Sequence, residues 1–123
     1  MNDILKPITQ QKTKTQVMPA TSTQTKQNAR LTHFQRDGLT FNVIDQGPLE
    51  GKPIILLHGF PETAHSWQAV SKILNAQGFR TYALEQRGYS LEARPRGRFQ
   101  YGLHELKEDV NALVNLIDQP VYL

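Results

Sequence analysis

The sequence Pro-Ile-Ile-Leu-Leu-His-Gly-Phe-Pro-Glu, at positions 53–62, decides the fold. Four consecutive branched apolar residues at positions 54–57 show no alternation with polar residues, which is typical of a parallel strand that is buried on both faces. Gly59 and Pro61 follow directly, and Pro61 disfavours a helical conformation for the residue before it. We therefore expect the chain to leave the strand through a sharp turn.

A helix is predicted after this turn, over residues 63–77. Its apolar residues recur at helical spacing and predict one buried stripe, made of Trp67, Val70, Ile73 and Leu74. Gly78 supplies the stop signal. A strand, a tight turn and a helix in this order predict an α/β fold, with the turn at the carboxyl end of the strand, where open parallel sheets bind ligands.

The segments before and after this unit extend the α/β pattern. Residues 32–36 and 39–45 alternate between apolar and polar types on either side of Asp37-Gly38, which predicts an antiparallel hairpin that opens the sheet. Residues 79–84 are rich in strand-forming types and predict the next parallel strand.

A long loop over residues 85–101 comes next, and helical spacing returns over residues 102–118. Residues 121–123 are predicted to begin another buried strand. The apolar side of the second helix is predicted to comprise Leu103, Leu106, Val110, Leu113, Leu116 and Ile117.

Two motifs resemble the α/β-hydrolase superfamily, and especially its epoxide hydrolase and dehalogenase-like branch. His58-Gly59-Phe60-Pro61 is similar to the oxyanion-loop motif of that branch. Residues 85–90, Glu-Gln-Arg-Gly-Tyr-Ser, are similar to its Asp-x-Arg-Gly-x-Gly turn, with Glu85 in place of Asp and Ser90 in place of the second Gly. The resemblance covers residues 31–123 and implies the N-terminal part of an α/β-hydrolase fold.

The resemblance also implies roles for individual residues. The residue after His-Gly donates one backbone N–H to the oxyanion hole in this family, so the Phe60 N–H is the predicted catalytic group. Phe60, Glu62 and Arg87 are the predicted substrate-binding residues. Three structural alternatives stay open, namely that Phe60 only packs against the sheet, that Glu62 begins a helix, and that Arg87 forms an ion pair with Glu85. The predicted structural residues of the two motifs are His58, Gly59, Pro61 and Gly88.

The implied activity is hydrolysis of an epoxide or haloalkyl substrate through a covalent ester intermediate. The sequence contains no Gly-x-nucleophile-x-Gly turn, and the catalytic acid and histidine that follow it in the family are also absent. We therefore expect a chain that is cut before the nucleophile elbow and is inactive by itself. A serine carboxylesterase of the same fold, and a non-catalytic chain that only binds a partner, are the alternatives.

Composition narrows the remaining possibilities. Residues 1–30 are rich in Thr, Gln and Lys and are predicted to be a disordered leader, followed by one α/β-hydrolase portion over residues 31–123. The leader holds five of the basic residues against one Asp, so the part that folds is nearly neutral and a nucleic-acid surface is not expected.

The 123 residues contain no cysteine and no apolar run long enough to span a membrane, and a signal peptide is not expected. We predict a cytoplasmic protein that acts on a small molecule, without a metal or another cofactor and without membrane association. The sequence does not indicate an oligomeric state.

Overall fold

The computed structural model describes residues 29–123, and their strands form one mixed four-stranded sheet. The strands are β1 (His33–Arg36), β2 (Leu39–Gln46), β3 (Lys52–Leu57) and β4 (Phe79–Leu84), and their order across the sheet is β1-β2-β4-β3. Strand β2 pairs antiparallel with β1 and β4, whereas β3 and β4 pair in parallel. The predicted α/β fold is confirmed. Residues 1–28, which make up most of the predicted leader, lie outside the described residues.

The β1–β2 hairpin forms where the sequence predicted it. Arg36 pairs with Leu39, so the loop has two residues. Asp37 and Gly38 occupy it with φ angles of 54° and 76°. Positive φ at both central residues defines the type I′ geometry that matches the twist of the flanking strands, and this explains the Asp-Gly pair.

Helices connect and cover the strands. A 3₁₀ helix over Ala64–Trp67 leads directly into α1 (Gln68–Ala76), and α2 (Leu103–Ile117) follows a second 3₁₀ helix over Arg98–Tyr101. Helix α1 lies in the crossover between the parallel strands β3 and β4. Within residues 29–123, none of the helices is long and apolar enough to cross a membrane.

The two faces of the sheet belong to two separate apolar cores. Ile55 lies in the first core with Leu113, Val114 and Ile117 of α2. The neighbouring Ile54 and Leu56 lie in the second core, against which Trp67 and Leu74 pack. Because side chains alternate along a strand, α2 covers one face of the sheet and α1 the other. This arrangement explains why the sequence of β3 is apolar without alternation.

The apolar stripe predicted for α1 is partly wrong. Val70 is 40% exposed and Ile73 is 61% exposed, while Ser71 is buried. The side of the helix that faces the sheet is centred on Ser71. Ile73 comes two residues later, about 200° around the helix at ~100° per residue, and therefore lies on nearly the opposite side. Apolar spacing alone therefore chose the wrong centre for the buried face.

The second helix needs a similar correction. Leu103, predicted to lie on its apolar side, is 82% exposed, whereas the charged Asp109 is buried. The strand predicted for residues 121–123 appears as a single parallel bridge between Tyr122 and Ile54. Two backbone hydrogen bonds hold this bridge against the free side of β3, from Ile55 N–H to Tyr122 O at 2.9 Å and from Tyr122 N–H to Pro53 O at 2.9 Å.

Candidate functional site at the carboxyl ends of β3 and β4

The loop over residues 59–63 projects from the carboxyl end of β3, and Phe60 lies at its tip. The Phe60 side chain is 89% exposed. The Glu62 N–H donates to Gly59 O at 2.8 Å and closes the loop on itself, and the Phe60–Pro61 peptide bond is cis. The Phe60 N–H donates no hydrogen bond to any residue within 29–123. This N–H is therefore free to bind an external acceptor.

His58 braces the start of this loop. Its ring is buried, and its Nε2 accepts a hydrogen bond from the Gln86 N–H at 3.2 Å. Since Nε2 is the acceptor, Nδ1 carries the proton and donates to Gly59 O at 3.2 Å. The Gln86 side-chain amide also donates to His58 O, and the Tyr89 ring packs edge-on against the imidazole at 4.6 Å. Both ring nitrogens are engaged by the protein, which fits a bracing role.

Glu62 is exposed and precedes the 3₁₀ helix. The residue that caps this helix is Thr63, whose Oγ1 accepts from the His65 N–H at 3.3 Å. A second cap comes from the residue that follows β4, because Glu85 Oε1 accepts from the Ala64 N–H at 2.6 Å. Glu62 therefore lies within the loop, next to the residue that caps the helix, and its predicted contact with substrate stays a prediction.

Arg87 lies away from open solvent. Its Nε and Nη2 donate to the two carboxylate oxygens of Asp109 at 2.8 and 2.9 Å, and its Nη1 donates to Gln100 O at 3.1 Å. These hydrogen bonds with Asp109 raise the pKa of Arg87 above its ordinary value. The structure thus places Arg87 in an ion pair that holds the loop, and the partner is Asp109 where the sequence suggested Glu85. The substrate contact predicted for Arg87 stays a prediction, and within residues 29–123 its side chain is engaged by Asp109 and Gln100.

The turn that follows Arg87 depends on its glycine. Gly88 has a φ of +92°, and its N–H donates to Ala93 O at 2.8 Å. A Cβ atom at this position would lie 3.2 Å from Cε1 of Tyr101, so both conformation and space favour glycine. The predicted structural role of Gly88 agrees with this geometry.

Ser90, which departs from the family motif, has a structural function of its own. Its hydroxyl is buried, donates to Glu85 O at 2.6 Å and accepts from the Asn42 N–H at 3.0 Å. The Ser90 hydroxyl therefore joins the turn to β2. Glycine has no side chain and could not make this connection.

The arginines at positions 94, 96 and 98 are exposed. Arg94 donates to Tyr89 O at 3.4 Å, and the Arg98 guanidinium lies 5.2 Å from the centre of the Phe99 ring. These contacts fit a solvated loop face.

Sequence reasoning missed two residues that organise the site. The second helix was predicted from the spacing of its apolar residues, so the burial of the charged Asp109 was not predicted. Asp109 lies four residues before Leu113, on the same side of the helix, and this spacing could have indicated that it is buried. Gln86 fills the unspecified position of the family motif, so the motif itself gave no reason to expect its two hydrogen bonds to His58.

Comparison with known proteins tests the resemblance directly. Residues 52–121 match the family model for the alpha/beta hydrolase fold, which is more than half of the chain. The chain belongs to the alpha/beta hydrolase family. The resemblance predicted from the two motifs is thereby confirmed, and with it the assignment of the chain to a family of hydrolases.

The relatives of this chain include several epoxide hydrolases. It is 37% identical over 82 residues to Epoxide hydrolase A of Mycobacterium tuberculosis, covering 67% of this chain and 24% of that protein. It is 38% identical over 78 residues to the AB hydrolase superfamily protein YfhM of Bacillus subtilis, covering 63% of this chain and 27% of that protein.

Solved structures give the same result. An epoxide hydrolase from an endophytic Streptomyces superposes with a TM-score of 0.65 at 30% identity, covering 71% of this chain and 26% of the other. A thioesterase domain from the curacin biosynthetic pathway, at 21% identity and a TM-score of 0.64, shares the fold. The chain thus spans about a quarter of the length of the curated relatives that it matches.

Proposed function

We propose that this chain supplies one half of the oxyanion hole of an epoxide-opening hydrolase, through the backbone N–H of Phe60. The observation that carries the proposal is an N–H group without a partner in residues 29–123, on a loop braced by the buried His58 at the carboxyl end of a parallel strand. The names of the relatives favour an epoxide over the haloalkyl substrate. The exposed ring of Phe60 would then contact the substrate, with Glu62 beside it.

The proposed chemistry proceeds through an ester. A carboxylate oxygen bonds to an epoxide carbon as the carbon–oxygen bond of the ring breaks, and the released oxygen takes up a proton. Water, activated by a histidine base, then adds to the ester carbonyl and turns its oxygen into an oxyanion. The Phe60 N–H stabilises this oxyanion until the intermediate collapses to the diol and the free carboxylate. The nucleophile, the acid and the base have no counterparts among residues 29–123.

The proposal is testable in a chimera in which the aligned segment of this chain replaces that of the mycobacterial Epoxide hydrolase A. Phe60→Pro removes the N–H, and Phe60→Ala keeps it while removing the ring. We expect Phe60→Pro to lower kcat for styrene oxide by about 10² to 10³-fold, the usual effect of losing one oxyanion donor. Phe60→Ala is expected to act mainly on KM.

Thermal melting and circular dichroism of both variants separate a loss of chemistry from a loss of folding. Equal kcat values for the two folded variants would contradict the proposal. The 123-residue chain by itself is expected to turn over neither styrene oxide nor p-nitrophenyl esters. Turnover by the chain alone would show that the machinery assigned to other residues lies within it.

A further inference from the structure

Two consecutive residues after β4 hold the two ends of the 59–63 loop. Gln86 binds its beginning, through the ring and the carbonyl oxygen of His58. Glu85 binds its far end, where Oε1 accepts from the Ala64 N–H at 2.6 Å, and the same carboxylate oxygen lies 3.6 Å from His58 Nε2. Leu57 and Leu84 pair side by side at the ends of the parallel strands, which brings these segments together.

The connection to Glu85 controls a loop that has little other support. Gly59 and Phe60 are exposed, and the backbone hydrogen bond within the loop is the one from the Glu62 N–H to Gly59 O. Ala64, by contrast, is 2% exposed and belongs to the second core. A carboxylate that fixes the Ala64 N–H therefore fixes the point at which the loop rejoins the folded body.

We infer that Glu85 is a positioning residue that holds the Phe60 N–H in place through its hydrogen bond to the Ala64 N–H. The inference rests on the oxyanion role proposed for Phe60. Glu85 itself does not contact the reacting atoms. Its carboxylate sets where the 59–63 loop ends, and the hydrogen bonds of Gln86 set where the loop begins.

The length of the side chain is part of the inference. Aspartate, the residue that the resemblance led us to expect at this position, is shorter by one carbon–carbon bond, or about 1.5 Å. Starting from the observed 2.6 Å, this change moves the acceptor beyond hydrogen-bonding distance of the Ala64 N–H unless the backbone shifts. Glutamine keeps the length and one oxygen acceptor, and it replaces the second carboxylate oxygen and the charge by a neutral NH₂ group.

The first test uses the full 123-residue chain and measures amide exchange by NMR. We expect Glu85→Asp and Glu85→Ala to speed exchange of the Ala64 N–H by about 10-fold or more, and Glu85→Gln to stay within about 3-fold of the unsubstituted chain. Glu92→Asp, the same chemical change at an exposed glutamate of the 85–101 loop, is the matched control and is expected to leave Ala64 unchanged. Unchanged Ala64 exchange in Glu85→Asp and Glu85→Ala would overturn the inference.

The second test uses the chimera with Epoxide hydrolase A. A misplaced donor reduces the stabilisation of the transition state more than it reduces substrate binding. Glu85→Asp is therefore expected to lower kcat about 10-fold and to leave KM within about 2-fold. Glu85→Gln is expected to keep kcat near that of the unsubstituted chimera. An unchanged kcat together with faster Ala64 exchange would overturn the positioning role. An inactive unsubstituted chimera would instead count against the proposed function, and the exchange measurement would still decide the contact.

Discussion

Asp45 and Asp109 use the same chemistry in two different regions of the molecule. Asp45 accepts from Nε and Nη2 of Arg80 at 2.8 and 2.6 Å, and Asp109 accepts from the same two nitrogens of Arg87 at 2.8 and 2.9 Å. All four side chains are nearly or fully buried. Each carboxylate also binds a second arginine, Arg30 in the first case and Arg36 in the second.

The two pairs differ in what they connect. Asp45 and Arg80 lie on β2 and β4, which are already joined by backbone pairing from Val43 and Leu84 to Gln46 and Thr81. Arg87 lies in the 85–101 loop and Asp109 lies in α2, so this pair joins a loop to a helix. A buried ion pair therefore reinforces an existing connection in the sheet, whereas at the candidate site it supplies the connection.

The largest expected effect comes from Asp109→Ala. This substitution leaves the buried Arg87 cation with Gln100 O as its remaining hydrogen-bond acceptor and with the partly exposed Glu105 carboxylate 3.8 Å away, and breaking a buried pair in this way costs about 3–5 kcal/mol. Urea unfolding followed by circular dichroism measures the loss. Glu108→Ala, on the same helix with a partly exposed side chain, is the control and is expected to change the free energy of unfolding by less than about 0.5 kcal/mol. Equal losses for Asp109→Ala and Glu108→Ala would show that the buried ion pair contributes no more to stability than a partly exposed glutamate.

A smaller effect is expected from Asp45→Ala, about 2–3 kcal/mol. Arg80 keeps two carbonyl acceptors, Leu49 O at 2.9 Å and Ala29 O at 3.0 Å. These hydrogen bonds compensate the buried charge of Arg80 better than Gln100 O compensates that of Arg87 in Asp109→Ala. Amide exchange sharpens the comparison. We expect Asp45→Ala to leave the 85–101 loop as protected as before, and Asp109→Ala to lose that protection. Loss of loop protection in both variants would contradict the local role given to Asp109.

The strands and turns of the fold were predicted well from the sequence, because they depend on the conformational preferences of neighbouring residues. The strand over residues 79–84 was predicted with the observed bounds, and the hairpin followed from Asp37-Gly38. The oxyanion-loop motif located Phe60 at the end of the right strand. Each of these predictions depends on neighbouring residues, whose preferences survive in the folded protein.

Contacts between distant residues were predicted poorly. Arg87 and Asp109 are separated by 22 positions, and Ala64 and Glu85 by 21, so neither contact leaves a periodic pattern. Arg30 illustrates the same difficulty at a boundary, because it was assigned to the leader but forms an ion pair with Asp45. The buried face of each helix was misjudged for a related reason, since it is set by what the sheet presents to it.

The smallest expected effect is a loss of stability at alkaline pH, which arises from Tyr82 in the sheet. Burial raises the pKa of Tyr82 from 10.0 to about 12, although the positive charge of Arg80, which lies 5.1 Å from the ring centre, acts in the opposite direction. The folded protein therefore keeps the Tyr82 proton between about pH 10 and 12, while the unfolded chain releases it. This contribution to stability is complete below pH 10 and is lost as the pH rises towards 12.

Solvent screening reduces the expected loss to about 1 kcal/mol, or a fall in Tm of about 5 °C. Melting curves at pH 9 and pH 11 measure it, and Tyr82→Phe is expected to show a smaller fall than the unsubstituted chain, because phenylalanine has no proton to release. Tyr101→Phe changes a tyrosine of the loop region and is expected to fall as far as the unsubstituted chain. Identical falls in Tm for all three proteins would show that ionisation of Tyr82, beside the Asp45–Arg80 pair, does not cause the alkaline destabilisation. Alkaline pH would then not distinguish the sheet from the loop.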